Sequence, residues 1–258
     1  MRFTKLGKIR FLSHRDLARV WERSLRRSGV RVAYSEGFSP RPRLSFGLAL
    51  STGYESLGEY LDIDLHPEAG IASADLPAIV TPSLPDGMTA QIAVPLEPGT
   101  ESLQAAVTSS TWRIEVVGPE PAELADAVAR ALALDELPIT VERKGTETIL
   151  DARPAILALA IASDNLASDD LASDDLALPP GVAPLRASTL LTAELATQPR
   201  SLRPAELLRA LDATWHDGRV LRTHQWTLVD GARCEPIPLA DLGARGATST
   251  THAQARAS

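Results

Sequence analysis

The sequence predicts an α+β fold made of two tandem ferredoxin-like (βαββαβ) domains. Three observations lead there: short runs of alternating apolar residues, amphipathic helical segments between them, and a second round of the same order after a proline-bearing break at 95–99. At 258 residues the chain is long enough to build two such cores.

The first domain is read over residues 1–98. "MRFTKLGKIRFL" (1–12) alternates as a strand with a bulge at Gly7. Ser13 caps a helix, Asp16 suits its positive first turn, and Gly29 stops it after about Ser28. Leu17, Val20, Trp21 and Leu25 share one side of that helix. Arg15, Arg19, Arg23 and Arg26 fall within about 80° on the other, giving an arginine stripe. "YSEGFSPRPRLSFG" (34–47) excludes a helix, because Pro40 and Pro42 remove donors and fix φ. Leu44, Phe46, Leu48 and Leu50 then alternate as a strand, expected to lie beside residues 1–12, and Leu61, Ile63 and Leu65 alternate again after a turn at 51–58. Ser73 caps a helix to about Leu84, Pro85-Asp86-Gly87 turns the chain, and 88–94 is the fourth strand.

A linker at 99–110 leads to the second domain, 111–230. Its strands are read at 111–117, 138–143, 146–151, 185–195 and 219–229, with helices at 120–134 and, after Ser201, at 203–214. The apolar segment 154–161 has no assigned type. Residues 162–180 read as a low-complexity insertion, its pentapeptides "ASDNL ASDDL ASDDL" at 162–176 being too acidic to pack. Residues 231–258 read as a mostly disordered tail.

Composition narrows the chemistry. Cys234 is the only cysteine, which excludes disulfides within the chain and metal centres built on several thiolates. His14, His66, His216, His224 and His252 are scattered without an HExxH spacing, so no metal and no cofactor is expected. No apolar run approaches a membrane span and the start does not resemble a signal peptide, so a cytoplasmic location is expected. "HRD" at 14–16 is not a kinase catalytic loop, because Trp21 stands where its asparagine belongs and no GxxxxGK[ST] occurs.

Charge is segregated. Residues 1–47 hold 12 of the 26 Lys+Arg and only Asp16, Glu22 and Glu36 as acids, a net +9 against −16 for the rest. Such asymmetry points to a basic functional end on an acidic body. Guanidinium forks match phosphate oxygens in geometry and charge, so Arg15, Arg19, Arg23, Arg26, Arg41 and Arg43 are the candidate phosphate contacts. Tyr34 and Phe38 are candidates for stacking on bases, although packing of Phe38 and a positive φ at Gly37 are the plainer expectation for that turn. His14, Glu36 and Glu59 are candidates for organising the site, and His14 is the one candidate general base.

Residues 5–65 combine F-x-S-H-x-D-L, R-R-x-G, Y-S-x-G-F-x-P-x-P and G-x-E-S-x-x-E-Y, with R-P-A-E-L-L further on at 203–208. This combination resembles the radical-SAM-linked protein family, a bacterial domain of unknown function. The resemblance implies a bacterial protein encoded beside, or fused to, a radical S-adenosylmethionine protein. The chain lacks CxxxCxxC, so it is not itself that radical enzyme. The tandem topology is similar at fold level to CRISPR-repeat-processing endoribonucleases, but their glycine-rich C-terminal loop has no counterpart after residue 228.

The resulting expectation is a non-catalytic RNA-binding accessory protein that acts with a radical SAM protein in RNA modification. Two alternatives stand beside it: an interaction subunit of that partner without nucleic acid, and a metal-independent endoribonuclease that depends on His14.

Overall fold

The computed structural model describes residues 1–97, 99–143, 145–162, 185 and 189–238. The expected low-complexity insertion, apart from 162, and the end of the tail, from 239, lie outside the described residues. The fold is mixed α+β, with a large, mostly antiparallel sheet and few helices.

In chain order the first half comprises β1 (Arg2–Lys5), α1 (His14–Arg27), β2 (Leu44–Phe46), β3 (Glu55–Ile63), α2 (Leu76–Val80) and β4 (Ala90–Ile92). The second half comprises α3 (Leu103–Ala106), β5 (Val107–Val117), α4 (Pro121–Ala133), β6 (Pro138–Arg143), β7 (Thr146–Asp151), β8 (Ile156–Ile161), β9 (Leu190–Ala196), α5 (Pro204–Leu211), β10 (His216–Val229) and β11 (Ala232–Cys234).

Strands run β4-β1-β3-β10-β5-β9-β8 across one sheet, with β2 added on β3 and β11 on β10. Each half therefore follows the same order, fourth–first–third–second: β4-β1-β3-β2 and β10-β5-β9-β8. Pairings within each half are antiparallel. The halves are joined by the parallel pair β3–β10, with Leu221 opposite Glu55 and Arg222 opposite Ser56. β3 thus carries β10 at its start and β2 at its end, where Leu44, Ser45 and Phe46 face Ile63, Asp62 and Leu61.

Several expected elements are corrected. The strand read over 1–12 ends at Lys5, because Gly7 takes φ +65° and turns residues Gly7–Phe11 into a 3₁₀ turn. The strand read to Leu50 stops at Phe46 and lies beside β3, not beside β1. The helix read from Ser73 to Leu84 is broken into short pieces around α2, in keeping with Pro77 and Pro82. The strands at 138–143 and 146–151 form, but as a separate two-stranded hairpin. The unassigned segment is β8, which supplies the second strand of that half. The helix read over 203–214 is the shorter α5, Pro204–Leu211, with Arg203 at its cap position.

α1 forms as its residues dictate. Ser13 Oγ accepts from Asp16 N at 3.2 Å, and the helix ends at Gly29, φ +73°, with Val30 N donating to Leu25 O at 3.0 Å. Its apolar side lies on the sheet: Trp21 is fully buried edge-on to Phe3, with ring centroids 4.9 Å apart. A second core gathers Leu124 and Val128 of α4, Leu207 and Leu208 of α5, and Ile114 and Leu191 of the sheet. Leu50 and Tyr54, from the first half, belong to this second core. Tyr54 meets Trp112 edge-on at 6.0 Å, so the turn before β3 is anchored in the other half.

Candidate functional site

Burying Leu17, Trp21 and Leu25 turns the opposite side of α1 to solvent, and Arg15, Arg19, Arg23 and Arg26 are all exposed there, together with Arg27. Arg19 is held by Asp16 at 3.3 Å, a weak i,i+3 surface pair. Arg15, Arg23, Arg26 and Arg27 have no carboxylate partner among the described residues.

The proline-bearing segment is a finger standing on the far end of β3. Val32 bridges to Leu65 and Tyr34 to Pro42, while Ser35 N donates to Arg41 O and Arg43 N to Ala33 O, each at 2.8 Å. Gly37 takes φ +121° at the tip, as its turn requires. Phe38 does not pack, contrary to the plainer expectation. It projects fully exposed, and Tyr34 is half exposed. Glu36 and Arg41 are exposed on the same finger. Arg43 is neutralised by Asp64, Nε to Oδ2 at 2.9 Å. No hydrogen bond or ion pair joins the finger to α1 among the described residues.

The basic segment is therefore not one continuous patch of free charge. Arg2 is buried on Glu235 at 2.7 Å, Lys5 is buried, Arg31 reaches Glu68 at 3.5 Å, and Arg10 lies 3.9 Å from Glu55. What remains exposed without a carboxylate partner among the described residues is Lys8, then Arg15, Arg23, Arg26 and Arg27 of α1, and Arg41.

Glu59 lies elsewhere. It is buried beneath the start of α1 and takes Arg222 of β10, Nη2 to Oε1 at 2.6 Å and Nε to Oε1 at 3.2 Å. It does orient an arginine, but not one of the stripe. Lys5 sits beside this pair and donates to Arg10 O and Leu12 O, each at 3.3 Å. Burial holds the Lys5 ammonium below its ordinary pKa, with Glu59 opposing and Arg222 assisting that shift.

His14 opens α1 with its ring edge-on to Phe46, centroids 5.2 Å apart. It lines a cleft of about 730 Å³ between the two halves. The floor is sheet: Ser110 and Trp112 of β5, Leu195 of β9 and Arg222 of β10, whose guanidinium lies 5.4 Å from the Trp112 ring centre. One wall is residues 48–52, the other the start of α5 with Arg203 and Pro204. Sequence reasoning missed Ser110, Arg203 and Arg222. Arg203 was within reach, standing just before a helix-opening proline. Ser110 and Arg222 were not, because nothing local marks which strand residues of two distant halves will share a floor.

No helix of the described residues is long and apolar enough to cross a membrane. Comparison with curated proteins finds no match. The model of a family described as an uncharacterized protein conserved in bacteria matches residues 1–204, and the chain belongs to that bacterial family, DUF2344.

Proposed function

We propose that this chain is an RNA-binding accessory protein, built as two tandem ferredoxin-like units, that works with a radical SAM partner in RNA modification. The observation that carries the reading is the exposed α1 face, where Arg15, Arg23 and Arg26 stand without carboxylate partners among the described residues. An acidic chain that leaves such a face unneutralised offers a polyanion a docking strip. Phe38 and Tyr34 on the finger supply rings for unstacked bases. The tandem reading is supported by the repeated strand order of the two halves. The radical SAM partner is supported by the motif resemblance over residues 5–65 alone.

Binding of a fluorescein-labelled single-stranded RNA, followed by anisotropy across a salt series, tests the reading. Exchanging Arg15, Arg23 and Arg26 together for Glu should weaken binding more than tenfold and flatten the slope of log K against log[salt] by about 2. Unchanged affinity and slope would leave the face as ordinary solvated surface.

One observation favours a second reading. A phenylalanine fully exposed on a stiffened finger also suits a protein pocket. Co-purification with the radical SAM partner that is lost in Phe38→Ala, while RNA binding is untouched, would favour that reading over the first.

A further inference from the structure

The cleft between the halves is unusual for so acidic a chain. Its lining contains His14, Arg203 and Arg222 and, among the described residues, no Asp or Glu. The nearby Glu206 of α5 does not line it; its two oxygens take Arg200 and the Arg203 N–H. The helix starts that bring His14 and Arg203 here, those of α1 and α5, also turn the positive ends of two helix dipoles toward the cleft.

The floor supplies the second, independent observation. Ser110 is 1 % exposed, and its Oγ has no hydrogen-bond partner among the described residues. Its side chain shares a sheet face with Trp112 and lines the cavity, so a hydroxyl donor is buried there with nothing to donate to. Arg222, 2 % exposed, uses Nε and Nη2 on Glu59 and Leu48 O, which leaves Nη1 without an acceptor among the described residues. Ser51, Thr52 and Gln104 add further polar side chains to the walls, Thr52 and Gln104 on the solvent side.

Converging donors in a lining without a carboxylate, Glu59 behind it taking only Nε and Nη2 of Arg222, call for an anion with several acceptor oxygens. A phosphate monoester provides three on one atom, and guanidinium forks match that geometry. The volume, about 730 Å³, exceeds what a bare phosphate fills and is of the size that holds a small organic ligand. We propose that this cleft binds a phosphate monoester, its phosphate taken by Ser110, Arg222 and Arg203 and its organic body lying along the apolar walls. The source is either a free phosphorylated molecule or the 5′-phosphate of an RNA. The site stands on residues separate from the arginine face of α1, so it does not rest on the RNA reading.

The test uses the full chain, with calorimetric titration of inorganic phosphate, AMP and adenosine. In parallel, a ten-nucleotide RNA with a 5′-phosphate is compared with the same RNA ending in a 5′-hydroxyl. Ser110→Ala and Arg203→Gln serve as variants, with urea unfolding to show that each is folded. Binding of AMP or phosphate, but not adenosine, weakened about tenfold or more in both variants, supports the site and a free ligand. A preference for the 5′-phosphate that disappears in both variants supports the site and an RNA end. If neither free probe binds and the 5′-phosphate leaves RNA affinity unchanged, or if both variants bind as the parent does, the proposal is overturned. RNA that fails to bind while AMP still binds would sink the accessory reading and leave this one standing.

Discussion

Glu59 and Arg222 stand 163 residues apart in sequence, yet one carboxylate oxygen of the first takes two nitrogens of the second at 2.6 and 3.2 Å. Both are buried, at 5 % and 2 % exposure, and they tie β3 to β10 where the halves meet. A buried pair of this kind adds little over a well-packed apolar pair, but losing one partner strands the other charge. Glu59→Leu should therefore cost about 3–5 kcal/mol in urea unfolding, because Lys5 and Arg222 would lose their shared counter-charge. The double exchange Glu59→Leu with Arg222→Met should recover a substantial part of that loss.

Acid should weaken the fold through His224. Its ring is stacked on Trp226 with centroids 4.9 Å apart. Burial, then the charges of Arg2 and Arg233, push its pKa from 6.5 down to about 4, with Glu194 opposing. The unfolded chain takes its proton near pH 6.5, the folded chain only near pH 4, so this stabilisation is complete above the first value and is lost as pH falls through the second. After allowance for solvent screening, the loss across that window should be about 2 kcal/mol. His224→Phe, which keeps a ring on Trp226, should flatten the dependence of unfolding free energy on pH across the same range. An unchanged slope would show that another group carries it.

Gly87 admits no side chain. It takes φ +90°, and a Cβ there would lie 2.2 Å from the carbonyl oxygen of Leu6, the same oxygen-bearing turn that β1 runs into. Gly87→Ala should cost about 2–4 kcal/mol by denaturant unfolding. An exchange of Gly99 for Ala, φ +84° but in open space, should cost visibly less.

Asp64 offers a way to separate the finger from the helix. It neutralises Arg43 at 2.9 Å, and both side chains are about half exposed. Asp64→Asn releases one cation at the finger's base. RNA affinity at low salt should rise about two- to fivefold if the finger lies on the RNA path, and should stay constant if α1 alone makes the contacts.

What could be read in advance was local. Ser13, Asp16, Leu17, Trp21 and Gly29 are close enough in sequence for their capping and periodicity to define α1 without reference to anything else. The finger was legible for the same reason, since Pro40, Pro42 and Gly37 act through their own φ angles. The exposure of Phe38 was not, because an aromatic in a turn gives no sign of whether a partner surface will cover it. Gly7 was read as a bulge because alternation resumes at Ile9 and Phe11, whereas the chain turns there and hands Gly7 N to Glu55 at 2.6 Å. The arginine count misled in part for a similar reason. Arg2 and Lys5 look like surface charge until the β1–β3 pairing buries them. Strand β8 escaped because "ILALAI" is apolar throughout, and periodicity cannot separate a buried strand from a helix in so short a run.

The parallel seam between β3 and β10 has a consequence for how the protein is made. The ribosome delivers β3 long before His216, so a nascent chain holds the backbone groups of Glu55 and Ser56 open until more than 150 further residues have emerged. An unpaired strand invites pairing with a neighbouring chain. Premature termination anywhere between Ile63 and His216 should thus yield a product that aggregates, and such fragments should be recovered from cells only with a chaperone attached.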